Sequence, residues 1–224
     1  MDRRLAWFVG LLLPVLLWSA VGPHDRFTWF LEVVPVLIGM PLALVVRRRF
    51  PLSSLLLGLL WVHSVILIVG GHYTYARVPL GEWAMEWFGW TRNNYDKLGH
   101  FAQGFVPAIL VREILVRLSP LGGCAVAGVA DPGPASARPA TVRSGWLGFL
   151  VVSVCLAFSA FYELLEWWVA AASGAAAEDF LGTQGYVWDT QSDMAWALGG
   201  AIVAVGLLGR LHDRSMANLL RRDR

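Results

Sequence analysis

Three pairs of polar residues in an otherwise apolar chain have the spacing of a single helix face. Asp96 and His100 are four apart, Glu163 and Glu166 three apart, and Asp189 and Asp193 four apart. At about 3.6 residues per turn, each pair projects from one side of a helix. Five carboxylates and one imidazole gathered in one place would repel strongly in a medium of low dielectric constant. They require compensation by protonation, by a cation from Arg92 or Lys97, or by a bound divalent metal. Oxygen-rich sets with one His suit Mg²⁺, Mn²⁺ or Zn²⁺, which makes all six residues candidate ligands. A metal held there would activate water or bind a phosphate oxygen. Without one, His100 would serve as general base and Glu166 as acid, with Glu163 beside them. Arg92 and Lys97 are candidates to hold an anionic substrate group. His72, Gln184 and Tyr186 are further candidate substrate contacts.

The elements that must position these residues are membrane helices. Of 224 residues, 57% are hydrophobic and 15% charged, the mean hydropathy is +0.56, and there are twelve Trp. Soluble domains carry more charge and fewer long apolar runs, and Trp collects at bilayer interfaces. Crossing the hydrocarbon takes about 20 mostly apolar residues. Segments near 5–21, 28–46, 52–71, 98–118, 146–172 and 187–208 qualify. The expected fold is all-α, a polytopic membrane protein with six transmembrane helices in one bundle. The first segment follows Arg3 and Arg4 and resembles a leader, but its apolar run is long for one and is read as a retained helix.

Charge placement gives the orientation. Arg3, Arg4, Arg47, Arg48, Arg49, Arg117, Arg138, Arg143, Arg210, Arg214, Arg221, Arg222 and Arg224 fall on one side of the expected spans, against Arg26, Arg77 and Arg92 on the other. The positive-inside rule places both termini in the cytoplasm. The three polar pairs, with Glu32 and His72, then lie at the outer end of their helices. That coincidence of depth is the main physical argument for a site. Ionisable residues within spans are costly unless paired or hydrated. The inner halves of the spans read as almost wholly apolar, which favours a one-sided site over a transport path.

The remaining segments are organisational. Residues 119–145 are rich in Gly, Ala and Pro and read as a flexible cytoplasmic linker. Residues 78–92 carry Trp83, Trp87 and Trp90 at helical spacing and read as an interfacial helix on the outer side. Gly99, Gly104, Gly199 and Gly200 would let the fourth and sixth spans pack closely. Cys124 and Cys155 share no metal or redox spacing and are expected to be free thiols. Plainer roles compete with the chemical ones. Asp96 and Asp189 could each cap a helix, and His63 reads as a lone structural histidine. Glu163 and Glu166 lie deep in "SAFYELLEWWVA", where no cap is needed.

Three stretches carry a family resemblance: "RNNYDKLGHFAQGF", "FYELLEWW" and "GTQGYVWDTQSDMAWALGGA". Together they resemble the YjdF-like family of uncharacterised bacterial inner-membrane proteins, over most of the chain from the second helix onward. More distantly, the order of motifs is similar to the VanZ-like membrane proteins, which are associated with tolerance of a glycopeptide antibiotic. That resemblance carries onto Asp96, Lys97, His100, Glu163 and either Asp189 or Asp193. The chain departs from VanZ in having Glu166 and Asp193 where a Gln and an Asn are expected. The resemblance implies a role in the cell envelope. Three functions follow as expectations. The first is a metal-assisted hydrolase or transferase acting on a lipid-linked or phosphorylated envelope substrate. The second is a small transporter or ion-binding protein. The third is a structural membrane partner whose acids are all paired internally and enclose no cavity. The bilayer is the expected surrounding, and no nucleic-acid partner is expected.

Overall fold

The computed structural model describes residues 3–119, 145–173, 178–181 and 183–222, and they are entirely helical apart from turns and loops. The elements are α1 (Arg3–Ser19), α2 (Arg26–Val46), α3 (Ser54–Tyr73), a 3₁₀ turn (Tyr75–Arg77), α4 (Pro79–Phe88), α5 (Tyr95–Leu118), α6 (Gly145–Ser173), the short α7 (Glu178–Leu181) and α8 (Asp189–Arg222). The Gly/Ala/Pro-rich linker expected over 119–145, and Cys124 within it, lie outside the described residues except at the edges. Cys155 is a buried free thiol.

Among the described residues, α2, α3, α6 and α8 are long and apolar enough to cross a bilayer. The two other long helices differ for identifiable reasons. α1 has only 17 residues, somewhat under the usual spanning length. α5 carries Asp96, Lys97, Arg112 and Glu113, and all four are buried inside the bundle. Their charges therefore face protein rather than the surroundings. The outside of the bundle is apolar instead, with Trp7, Leu17, Val45, Phe149 and Leu207 among many exposed large side chains. Such a surface suits hydrocarbon, where only helices satisfy their own backbone.

Local signals explain where the helices start. Asp25 caps α2, its Oδ2 accepting from the backbone N–H of Thr28 at 2.6 Å. That bond holds the Asp25 carboxyl below its ordinary 3.8. Asp25→Ala should cost about 1 kcal/mol. Because the folded pKa is depressed, the contribution is present above the ordinary pKa and is lost as pH falls through the folded value. Unfolding of the variant and the parent in detergent at pH 7 and at pH 3 checks both statements. Ser53 caps α3 in the same way, through Leu56 N–H. α4 ends at Gly89, whose φ of 66° is a left-handed cap. Trp83, Trp87, Phe88 and Trp90 are exposed around it.

Two apolar cores meet at α3. One joins α1, α2 and α3 through Leu12, Val33 and Ile68. The other joins α5, α6 and α8 to Leu56 of α3 through Ile109, Val151, Cys155 and Ala201. α5 and α8 approach closely because two of the four glycines noted in the sequence sit at their crossing. A Cβ on Gly104 would overlap the backbone of Ala197, and one on Gly200 would overlap the backbone of Phe101 and Phe105. Small residues permit this approach. Gly99 faces the ring of Tyr75 instead, and Gly199 faces open space.

The opposite end of α5 corrects the expectation of apolar inner halves. Glu113 and His212 are fully buried there, and Arg112 nearly so. Glu113 Oε2 lies 3.0 Å from His212 Nε2, and its Oε1 accepts from Arg117 and from Ser53 N–H, each at 3.0 Å. Arg112 lies 3.0 Å from His212 Nδ1 and donates to Asp213 at 2.6 Å. α8 runs on well past the expected boundary at 208. His212, Met216 and Leu219, at i, i+4 and i+7, form a buried stripe on that extension.

Candidate functional site

α5 and α8 bring Asp96, Lys97, Asp189 and Asp193 together, and the turn before α5 adds Arg92. The ammonium of Lys97 lies 2.7 Å from Asp189, 2.7 Å from Asp193 and 3.2 Å from Asp96. Arg92 reaches Asp96 at 2.6 Å and Asp189 at 2.9 Å. Three carboxylates and two cations thus form one buried network. Both cations also lie over the ring of Tyr186, at 5.3 Å and 5.8 Å from its centroid. The carboxylates of Asp96, Asp189 and Asp193 offer ligand atoms within 4.8 Å of one another. Lys97 Nζ sits where a shared cation would sit, so this trio has its positive charge in place.

Asp193 belongs to a second set as well. His100, Glu163 and Asp193 also offer one ligand atom each within 4.8 Å. His100 Nε2 lies 3.7 Å from Asp193, and Nδ1 lies 3.8 Å from Glu163. Nδ1 is also 2.9 Å from the side-chain oxygen of Gln103, which fixes the plane of the ring. Glu163 is only 8% exposed, and its Oε1 is buried without a hydrogen-bond partner. An unpartnered buried carboxylate oxygen costs free energy, so it marks a place where something is missing from the protein's own bonding. No Lys or Arg reaches Glu163 among the described residues.

A cavity of about 100 Å³ opens beside this second set. His100, Asp193, Asp96, Gln103 and Glu166 line it, together with Glu32, His63, Tyr75 and Tyr162. It is large enough for an ion with a few waters, and well below the size of a drug-like pocket. Glu166 faces this space and forms no ion pair or hydrogen bond among the described residues.

The structure sorts the residues singled out in the sequence. Asp96, Lys97, Asp189, Asp193 and Arg92 share one network, His100 and Glu163 adjoin it through Asp193, and Glu166 lies across the cavity. Arg92 and Lys97 are engaged by aspartates, so neither presents an uncommitted charge to an anionic substrate. His72 is elsewhere: its Nδ1 lies 3.0 Å from the Ser19 carbonyl oxygen, and its ring packs on Trp18, tying α1 to α3. Gln184 accepts from Asn93 N–H at 3.1 Å and donates to the Asn93 carbonyl at 2.8 Å. This pair of hydrogen bonds pins the turn before α8 to the turn before α5. It also supports a backbone φ of 48° at Gln184, unusual for a residue with a side chain. Tyr186 covers the two cations and is not part of the cavity wall.

Gln103, His63, Tyr75 and Tyr162 line the cavity without standing out as site residues in the sequence, where Glu32 is noted only for its depth. Glu32 is buried and hydrogen-bonded to Tyr75. Its position early in the second expected span, at the depth of the three polar pairs, was the available signal. His63, read as structural, lines the cavity with a buried Nε2 that has no partner.

Comparison with known proteins agrees with this architecture. Residues 4–214 match the family described as "Predicted membrane protein (DUF2238)". The chain is 49% identical over 202 residues to "Inner membrane protein YjdF" of Escherichia coli (strain K12), covering 90% of this chain and 87% of that protein. No solved structure matches it. The chain belongs to the DUF2238 family of membrane proteins, as a multi-pass protein of the bacterial inner membrane.

Proposed function

We propose that the protein is a membrane-embedded hydrolase or transferase that binds a divalent cation at His100, Glu163 and Asp193. Its substrate is a lipid-linked or phosphorylated envelope compound whose head group enters the adjoining cavity. The observation that carries this reading is the unpartnered, buried Oε1 of Glu163 within a His/Glu/Asp set. Imidazole with two carboxylates suits Zn²⁺ or Mn²⁺, and ligand atoms of one ion lie at most about 4.5 Å apart. The separations here need to close only slightly. The cation would polarise a phosphoryl oxygen or activate a water, with Glu166 across the cavity placed to move a proton. Because Arg92 and Lys97 are held by aspartates, the cation rather than these side chains would receive a phosphoryl oxygen. The small cavity has room for a phosphoryl group beside the cation, with the rest of the substrate left outside it.

In this reading α1, α2, α3, α5, α6 and α8 all lie in the membrane, with α1 short and α5 shielded by its neighbours. The arginine distribution supports cytoplasmic termini and a pocket in the outer leaflet. The exposed Trp83, Trp87 and Trp90 around α4 support an interfacial position for that segment. A transport path would need a polar route between the two ends of α5. Buried Val106, Ala108, Ile109, Ala201 and Ala204 lie between them, which supports a one-sided site. A purely structural role would leave every acid paired and no cavity, and Glu163 and Glu166 do not fit that pattern.

The test is metal content and turnover together. Protein purified without chelator and incubated with Mn²⁺ or Zn²⁺ should retain about one ion per chain. Glu163→Gln and His100→Ala should lose it, and phosphate release from a lipid diphosphate should depend on the added metal. Equal metal content in all three proteins would sink the proposed site. Gln103→Leu should weaken metal binding by roughly 10–100-fold while leaving the ligands in place, because a partner that orients a ligating His contributes that much. Titration of metal into the variant measures it.

A further inference from the structure

The cavity beside His100 and Glu163 is not closed on all sides. Of the described residues that line it, Pro35 of α2 and Phe158 of α6 alone are exposed on the outer surface of the bundle, and the others are buried or half-buried. A side chain that faces both a cavity and the surroundings marks a mouth, so the opening lies between α2 and α6. The packing of these helices explains the gap. α2 packs on α3, and α6 packs on α5 and α8, while α2 and α6 scarcely touch one another among the described residues. The short α7 packs on both, and its Phe180 and Leu181 line the same cavity.

The depth of this mouth decides what can reach it. Pro35 stands near the midpoint of α2 and Phe158 near the midpoint of α6, two of the helices long and apolar enough to cross a bilayer. Trp167 and Trp168 are exposed toward the end of α6, the kind of side chain that meets the head-group layer. Glu166 is next to them in the chain, and Phe158 lies about two turns deeper. The outer surface around the mouth is apolar, with Ile38 of α2 and Phe161 of α6 exposed. Hydrocarbon rather than water surrounds a helix at that depth. The polar side of the cavity is closed off instead. Asp96 and Asp193 line it, are almost fully buried, and are tied to Arg92 and Lys97, with Tyr186 over both cations.

We propose that the cavity takes its ligand sideways from the bilayer, through the mouth between α2 and α6, and that this ligand is a lipid bearing a terminal phosphoryl group. The inference rests on the proposed binding of a cation and a phosphoryl oxygen at His100, Glu163 and Asp193, and it selects a lipid over a soluble phosphorylated compound. The phosphoryl group lies inside, beside the cation, and the chain leaves past Pro35 and Phe158 into the hydrocarbon. A polar interior with an apolar mouth matches a molecule that is polar at one end and apolar along the rest. A soluble phosphate meets neither an opening from water nor an apolar path it can cross.

The experiment is native mass spectrometry of the full chain in detergent, incubated with Mn²⁺ and titrated with phosphatidic acid or phosphatidylcholine. Phosphatidic acid, which ends in a phosphoryl group, should bind the more tightly of the two. Pro35→Trp and Phe158→Trp fill the mouth and should each weaken it roughly ten-fold, as expected for overfilling a fitted space. Both positions are exposed, and Phe158→Trp leaves the course of the helix untouched if Pro35→Trp alters α2. Leu42→Trp, on the same face of α2 two turns further on and outside the cavity wall, should bind like the parent. Equal binding of the two lipids, or undiminished binding by Phe158→Trp, overturns the proposal. Displacement of phosphatidic acid by equimolar glycerol 3-phosphate also overturns it, because the cavity would then be open to water. Metal content separates the two readings. Bound Mn²⁺ without retained phosphatidic acid overturns sideways entry and leaves the cation site standing. Mouth-dependent retention of phosphatidic acid without Mn²⁺ supports sideways entry and removes the cation.

Discussion

Lys97→Met should destabilise the protein by about 3–5 kcal/mol, the largest effect of any single polar substitution in the bundle. The ammonium lies within 3.2 Å of three carboxylates and its side chain is 8% exposed. Methionine keeps much of the volume and removes the charge. Asp96 and Asp189 would retain Arg92, but Asp193 would lose its nearest cation. The penalty is mainly that of leaving buried carboxylates without compensation, not the net worth of the ion pairs. Adding Asp193→Asn to Lys97→Met should therefore recover part of the loss, a non-additivity of about 1–3 kcal/mol. Thermal unfolding of the two single variants and the double variant in detergent measures this coupling. Simple additivity would mean that Lys97 does not balance Asp193.

The second large effect separates neighbouring glycines of the same helix. Gly200→Ala should cost at least about 1–3 kcal/mol, because its Cβ would enter the backbone of Phe101 and Phe105 and only movement of a whole helix could relieve it. Gly104→Ala should behave likewise against Ala197. Gly199→Ala, one residue away, meets nothing within 4 Å and should be neutral or stabilising by up to about 1 kcal/mol. The disruptive pair should also weaken metal binding, since His100 rides on α5 and Asp193 on α8. Comparable melting temperatures for Gly199→Ala and Gly200→Ala would contradict the close crossing of α5 and α8.

The convergence at the α5–α8 end was readable because it depends on depth and helix period alone. Helices that start or end on the same side bring their terminal turns together, whatever the details of packing. Pairing within the cluster was not readable. Lys97 selects Asp189 and Asp193 because Gly104 and Gly200 allow α8 to come close, and sequence spacing carries no distance between helices. Gln184 looked like a pocket residue because a polar side chain in a turn has no visible partner until the fold supplies the backbone of Asn93. The Glu113–His212 network was missed for a different reason. Hydropathy ends the last span near 208, whereas the helix continues on a narrower stripe of His212, Met216 and Leu219. A period count over 208–222 would have shown it.

In the proposed function a cation belongs to His100, Glu163 and Asp193, while Lys97 serves Asp96, Asp189 and Asp193. Electron spin echo spectroscopy of Mn²⁺ bound to the purified full-length protein addresses it most directly, because the modulation reports nitrogen in the coordination sphere. Coupling to a single imidazole nitrogen is expected, lost in His100→Gln and unaltered in His72→Gln. An echo without nitrogen modulation in the parent protein, or modulation that survives His100→Gln, would contradict it.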